Sequence, residues 1–265
     1  MIASTEPSSP RDTTSLPVYF IADAHLGGED PEAESAKERD LIAFLNHLQG
    51  RAGCLYLVGD IFDFWFEYAT VVPGGYVEVL AALAALVRSG TAVHFLGGNH
   101  DYWAGQRFEE LTGAAVHHFP ISPTHFGRRI FIAHGDGLPA GDGGYRVLKA
   151  VIRSRPAVFA FRLLHPTMAA AIARWASNLS TITEERVERA IPPMSDFLDR
   201  TLDAGYDAAV VGHVHRPVAR RRDGKDAIIV GDWMANRSVA ALDADGFRML
   251  RWDGGTLSPG SAVAS

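Results

Sequence analysis

Five short polar clusters constrain this chain more than anything else in it. They are Asp23-Ala24-His25, Gly59-Asp60, Gly97-Gly98-Asn99-His100-Asp101, His134-Gly135-Asp136 and Gly212-His213-Val214-His215. They directly follow apolar runs at 18–22, 55–58, 93–96, 130–133 and 208–211. Such runs read as strands buried on both faces. Ligands of open α/β sheets gather at the carboxyl ends of strands, so clusters far apart in the chain are expected to meet in one place. Asp, Asn and His without a thiolate suit divalent manganese, iron, zinc or magnesium.

Composition narrows the class. With 47% hydrophobic and 21% charged residues over 265 positions, the chain is long and apolar enough for a globular domain with a sizeable core. A net charge of -6 gives no reason to expect nucleic acid as a partner. Cys54 is the single cysteine, so no internal disulfide can form, and it reads as a small core residue. No stretch of about 20 apolar residues is present to span a bilayer. The opening, rich in Ser, Thr and Pro, reads as a disordered tail over residues 1–16 and not as a signal peptide, which points to the cytoplasm.

Strands alternate with helical patterns, as in α/β layers. Apolar spacing predicts helices over 35–48, 76–88 and 106–111. Residues 145–179 form an alanine-rich, helical, apolar stretch interrupted by Pro156 and Pro166, with arginines and no acidic residue. This reads as a cap over the metal site, inserted at about 141–192 into a domain spanning 17–254. Two more helices, 184–190 and 194–204, are expected on either side of Pro192-Pro193. The strands after 218 look like the meander of a second sheet, with a hairpin turn at Arg222-Asp223-Gly224-Lys225. Residues 255–265 look like a second tail.

In this order, Asp-x-His, Gly-Asp, Gly-Asn-His-Asp, His-Gly-Asp and Gly-His-x-His resemble the calcineurin-type metallophosphoesterase superfamily. The resemblance implies an αββα sandwich of two mixed sheets with an inserted helical cap. It also implies a site of two divalent ions, manganese above all. Asp23, His25, Asp60 and His215 would hold one ion; Asp60, Asn99, His134 and His213 would hold the other. A hydroxide between the ions would attack phosphorus. His100 would donate to the substrate, oriented by Asp101. Asp136 would hydrogen-bond a ligand imidazole.

The run 55–65, His134-Gly135-Asp136 followed by Asp142-Gly143-Gly144-Tyr145, Gly212-His213-Val214-His215-Arg216-Pro217 and Gly231-Asp232-Trp233 resemble the bacterial UDP-2,3-diacylglucosamine diphosphatase family of lipid A biosynthesis. That resemblance implies attack on the α-phosphorus of a nucleotide-lipid pyrophosphate, giving UMP and diacylglucosamine 1-phosphate. Asp142, Tyr145, Arg174 and Ser177 would contact the substrate. A monomer touching the inner membrane peripherally is expected. Two departures are visible: His100 stands where that family commonly has arginine, and the basic residues that usually follow its Arg-x-x-Ser are missing, the stretch reading Ser180-Thr181-Ile182-Thr183-Glu184. A general phosphodiesterase or phosphatase acting on another nucleotide or lipid phosphoester is the alternative.

Overall fold

The computed structural model describes residues 15–28, 30–68, 74–139, 143–165, 167–169, 171–172 and 183–260. Two mixed sheets face each other, with helices on both outer faces. The first has seven strands in the order β12-β11-β10-β1-β2-β3-β4. Here β1 is Val18–Ile21, β2 Cys54–Leu57, β3 Ala92–Leu96, β4 Ala115–His117, β10 Ser238–Asp243, β11 Gly246–Trp252 and β12 Leu257–Pro259. The second has five strands in the order β5-β6-β7-β9-β8. These are β5 Thr124–His125, β6 Arg128–Ala133, β7 Ala208–Val211, β8 Val218–Arg222 and β9 Lys225–Ile229.

The two-residue side-chain period of a strand builds the layers. On β1, Val18 and Phe20 point between the sheets, into a core shared with Tyr56, Ile130, Ile132, Val210 and Ile228. Tyr19 and Ile21 point the other way, toward helices α1 (Pro31–Leu48), α2 (Val77–Arg88) and α3 (Gln106–Thr112). The outer face of the second sheet is covered by α6 (Glu184–Asp203) through Met194, Leu198 and Leu202. The cap contributes α4 (Gly143–Ile152) and α5 (Arg155–Arg162), the latter started by Ser154, whose hydroxyl accepts from Ala157 N.

Four expectations are corrected. Helix α1 starts at Pro31 and not at 35: Asp30 accepts from the backbone N–H groups of Glu32 and Ala33, and proline occupies the first turn. Helix α6 runs unbroken through Pro192 and Pro193. A helix-interior proline costs about 3 kcal/mol, whereas burying a large apolar side chain returns ~1.5–3 kcal/mol each. The stripe Val187, Ile191, Met194, Leu198, Leu202 keeps one face on the sheet across the prolines. The strands after 218 do not form one meander: β8 and β9 stay in the second sheet, while β10 crosses over to pair antiparallel with β1, Val18 opposite Leu242. Both faces of β10 are buried, which only a central position provides. Finally, the expected tail from 255 begins with β12, which pairs with β11.

Candidate metal centre

Five loops meet at one edge, after the carboxyl ends of β1, β2, β3, β6 and β7. The backbone stitches them together. Asp23 N donates to Gly59 O (3.0 Å), His25 N to Asp60 O (3.0 Å), Gly212 N to His134 O (2.8 Å) and Trp233 N to Asp23 O (3.1 Å). The turns are tight. Asp23, His25, Asp60, His213 and His215 all have positive φ, between 43° and 69°, a conformation that costs a non-glycine residue roughly 1–2 kcal/mol. Two glycines make room. A Cβ on Gly98 would lie 2.1 Å from Asp60 Oδ1, and one on Gly59, itself at φ 85°, would lie 2.4 Å from His134 Nδ1.

Each central carboxylate has one anchored oxygen and one aimed inward. Asp23 Oδ2 accepts from His213 N (2.8 Å), while Oδ1 faces His215 Nε2 at 3.3 Å and His25 Nε2 at 3.9 Å. Asp60 Oδ1 accepts from His100 N (2.8 Å), while Oδ2 faces His134 Nε2 at 3.2 Å and His25 Nε2 at 3.9 Å. The rings are held from behind. His134 Nδ1 donates to Val58 O (2.9 Å), and His25 Nδ1 lies 3.6 Å from Asp63 Oδ1. Lys37, buried in α1, donates to the His25 carbonyl at 2.8 Å.

The ligand-type atoms fall into groups able to hold metal: Asp23, His25 and His215; Asp60, His134 and His213; and His25, Asp63 and His100. Asn99 Oδ1 lies 3.3 Å from His134 Nε2, beside the second group. Asp60 Oδ2 faces a histidine of each of the first two groups. Asp23 Oδ1 and His25 Nε2 are buried and make no hydrogen bond. Buried polar atoms without partners are costly, and a divalent cation suits this oxygen-and-nitrogen donor set. The residues fit the ions that the sequence implies.

Electrostatics agree. Burial opposes charge on Asp60, yet His134 and His100 outweigh it and hold the carboxyl well below its ordinary value. Burial likewise opposes charge on Asp23, but His215, ahead of His134, holds it low. His134 is raised against its burial by Asp60, and His215 by Asp23. His213 falls to about 4 through burial and the neighbouring His134. Cations binding here would displace the protons these imidazoles share with the carboxylates.

One site residue behaves differently from expectation. Asp101 does not orient His100. Its buried carboxylate accepts four backbone N–H bonds, from Gly98 (2.8 Å), Asp60 (3.2 Å), Ile61 (2.7 Å) and Phe62 (3.2 Å), and so fixes the loop that carries Asp60. The reason is local: Asp101 turns inward beneath the loop while the His100 ring turns out. The partner of His100 is Asp63, whose carbonyl accepts from Nδ1 (2.9 Å) and whose carboxylate lies at 3.4 Å. Burial opposes protonation, but Asp60 and Asp63 lift His100 to about 9. The second nitrogen of His134 is held by the Val58 carbonyl. The Asp136 carboxylate is engaged by Lys149 Nζ (2.6 Å) and Arg153 Nη2 (3.3 Å) of the cap, while its charge still acts on His134.

Sequence reasoning misses Asp63 and Lys37. Asp63 has a signal, an acid three residues past Asp60 in the same loop; a lysine on a polar helical segment has none. Asp142, Arg174 and Ser177 lie outside the described residues; Tyr145 lies in α4, with its side chain outside them. Cys54 is buried and its thiol is pushed up to about 12, so it is no nucleophile.

Residues 16–217 match the calcineurin-like phosphoesterase family, and the chain belongs to it. It is therefore a metallophosphoesterase-class hydrolase that binds divalent metal. More particularly, it is 30% identical over 259 residues to a UDP-2,3-diacylglucosamine hydrolase of Porphyromonas gingivalis, covering 91% of this chain and 95% of that one. A UDP-2,3-diacylglucosamine hydrolase of Aeromonas salmonicida is 29% identical, over 94% of this chain and 99% of its own. Among solved structures, a phosphoesterase from E. coli overlaps 94% of this chain and 100% of its own, with a TM-score of 0.45 and 19% identity.

Proposed function

We propose that this chain hydrolyses the pyrophosphate of UDP-2,3-diacylglucosamine, using two divalent ions, with manganese as the native metal. One observation carries the reading: Asp60 Oδ2 sits between His25 and His134, facing one histidine of the Asp23 group and one of its own. Asp23, His25, Asp60 and His215 would hold one ion, and Asp60, Asn99, His134 and His213 the other. When bound, the pair supplies activation of water and neutralisation of phosphoryl charge.

The chain's own residues do the rest. Asp101 holds the loop of Asp60 in place. The anchored oxygens of Asp23 and Asp60 keep their partners aimed inward. His100, with Nδ1 donated to Asp63 O, turns Nε2 toward the substrate. There it steadies a phosphoryl oxygen or delivers a proton to the leaving oxygen. It stands where the related family commonly carries arginine, and its bond to Asp63 O favours the donor role. Water adds to the α-phosphorus, the bridging P–O bond breaks, and UMP and diacylglucosamine 1-phosphate leave. Asp142, Tyr145, Arg174 and Ser177 would meet the substrate from the cap.

The cap supports an acylated substrate. A cleft of about 340 Å³ lies beside the loops after β2 and β3, lined by Phe66, Tyr102, Trp103, Val158 and Arg162. Phe161 of α5 packs on Phe66 at 4.7 Å and stacks over Trp103 at 6.4 Å. On helix α4, Lys149 turns toward Asp136, as does Arg153 just beyond the helix, while Val147 and Val151 are 67% and 58% exposed. With Phe159 and Leu163 of the adjoining segment also exposed, this face suits peripheral contact with the cytoplasmic side of the inner membrane. No helix among the described residues is long and apolar enough to cross a membrane.

Purified protein given this substrate and Mn2+ is expected to release UMP. Absence of UMP, with a model phosphodiester still cleaved, rejects the substrate and leaves the general phosphodiesterase, which histidine at position 100 favours.

A further inference from the structure

The Arg153 guanidinium clamps both ends of the loop that carries Asn99, His100 and Asp101. At one end it donates to Gly98 O (2.8 Å). At the other it lies over the Tyr102 ring, 3.6 Å from the centroid. It also donates to Asp136 Oδ2 (3.3 Å), in the cluster that carries His134. Arg153 itself sits just past the end of α4, in the cap. One guanidinium, through Nη2 to both Gly98 O and Asp136 Oδ2 and through its face to Tyr102, thus joins the cap to two of the five strand-end loops. Lys149, one helical turn earlier, reaches Asp136 at both its carboxylate (2.6 Å) and its carbonyl (3.0 Å), but its bonds do not include the 98–102 loop. The two cations therefore divide the work: Lys149 fastens the cap, and Arg153 fastens the cap to the loop of His100.

The geometry points to Arg153 as a positioning residue that sets the placement of the His100 loop from the cap, so that cap position and turnover are coupled. Lysine cannot replace it, because an ammonium offers no planar face to lie on the Tyr102 ring while it bonds Gly98 O. Even a substrate too short to touch the cap should then feel the loss of Arg153. This rests on the proposed phosphoesterase reading of the same site, but its first test does not.

Amide hydrogen exchange over residues 98–102 is compared, without added metal, among wild type, Arg153→Ala, Arg153→Lys and Lys149→Ala. Gly98 N and His100 N are good reporters, being bonded to Asp101 and Asp60. Arg153→Ala and Arg153→Lys are expected to exchange about 10-fold faster there, and Lys149→Ala no faster than wild type. Unchanged exchange in Arg153→Ala, or equal acceleration in Lys149→Ala, overturns the proposal. The Tyr102→Leu variant, which removes the stack and leaves both hydrogen bonds, should accelerate exchange by less and covers the case of a misfolded Arg153→Ala.

The second measurement uses bis(p-nitrophenyl) phosphate with Mn2+. Arg153→Ala should lower kcat roughly 10- to 100-fold, as loss of a supporting contact does, with KM little changed and metal content intact; added guanidinium should restore part of it. Wild-type kcat in Arg153→Ala on this small ester, with only a raised KM for the acylated substrate, would make Arg153 a plain cap anchor and overturn the coupling. A wild-type protein that releases no UMP counts against the substrate reading alone; the exchange result decides the clamp.

Discussion

The strand-end loops and the cap solve opposite problems with the same kinds of residue. In the loops, carboxylates and imidazoles are buried or half-buried, and Asp23, Asp60, Asp101, His100 and His134 are each tied by a backbone N–H or carbonyl of another loop. In the cap, Lys149 and Arg153 reach toward the loops, while Val147, Val151, Phe159 and Leu163 are exposed. Burial of charge without a partner is expensive, so the loops must be rigid and cross-braced before any ion arrives. The cap carries exposed apolar surface instead, which suits an element that meets something greasy. The comparison teaches that the ligand loops and the cap are built on opposite rules and are joined, among the described residues, through Lys149, Arg153 and Phe161.

The comparison can be broken at the loops first. Asp60→Ala should reduce phosphoester turnover to background and strip bound divalent metal; elemental analysis showing full occupancy would remove Asp60 from between the two ligand groups. His100→Ala should lower turnover roughly 10²–10⁴-fold with metal content unchanged, the usual range for a positioned acid. Loss of metal in that variant would make His100 a ligand, in the manner of its group with His25 and Asp63.

The next pair separates two acids, one expected beside His100 and the other found there. Asp63→Asn should lower kcat roughly 10–100-fold with little change in melting. Asp101→Ala should lower the melting temperature sharply, because each backbone donor left unpaired inside costs about 1–3 kcal/mol. Thermal denaturation and kinetics on both variants decide it; a melting loss in the Asp63 variant and none in the Asp101 variant would reverse the assignment.

The smallest effect lies away from the site. His94 stacks on Tyr56 at 4.9 Å and meets His117 at 3.0 Å. Burial, ahead of the charges of His117 and His125, lowers it from 6.5 to about 4. The unfolded chain gains a proton below about 6.5 that the folded one refuses until about 4. Its contribution is therefore complete above that window and is lost as pH falls through it. Denaturant titrations at about pH 7.5 and about pH 4.5 should show a smaller acid-induced loss for His94→Phe than for wild type.

Much of the centre is legible in the sequence itself, for a simple reason. Apolar runs that end in Asp, Asn or His announce both a buried strand and what stands at its tip. The ends of β1, β2, β3, β6 and β7 all carry this mark, and the ligand-type residues on them converge. What escapes is whatever depends on a partner distant in the chain. Pro192 and Pro193 read locally as a break, but the stripe of α6 is anchored on the second sheet. The crossing of β10 to β1 has no local signature, because both faces of β10 are apolar. The family resemblance pairs Asp101 with His100, although the Asp101 carboxylate faces a loop 40 residues back. Lys37 looks like a solvated residue of α1 until His25 places a carbonyl beside it.

The five left-handed residues at the heart of the site have a thermal consequence. A turn held in an unfavourable backbone basin releases free energy when its restraint goes, and here the restraint and the bound ions act on the same residues. A chelator should therefore soften this edge of the sandwich well before it loosens the layers beneath. Heating of ion-free protein would then begin at the catalytic rim and spread inward, leaving the inter-sheet core around Phe20 and Ile132 as the last part to melt.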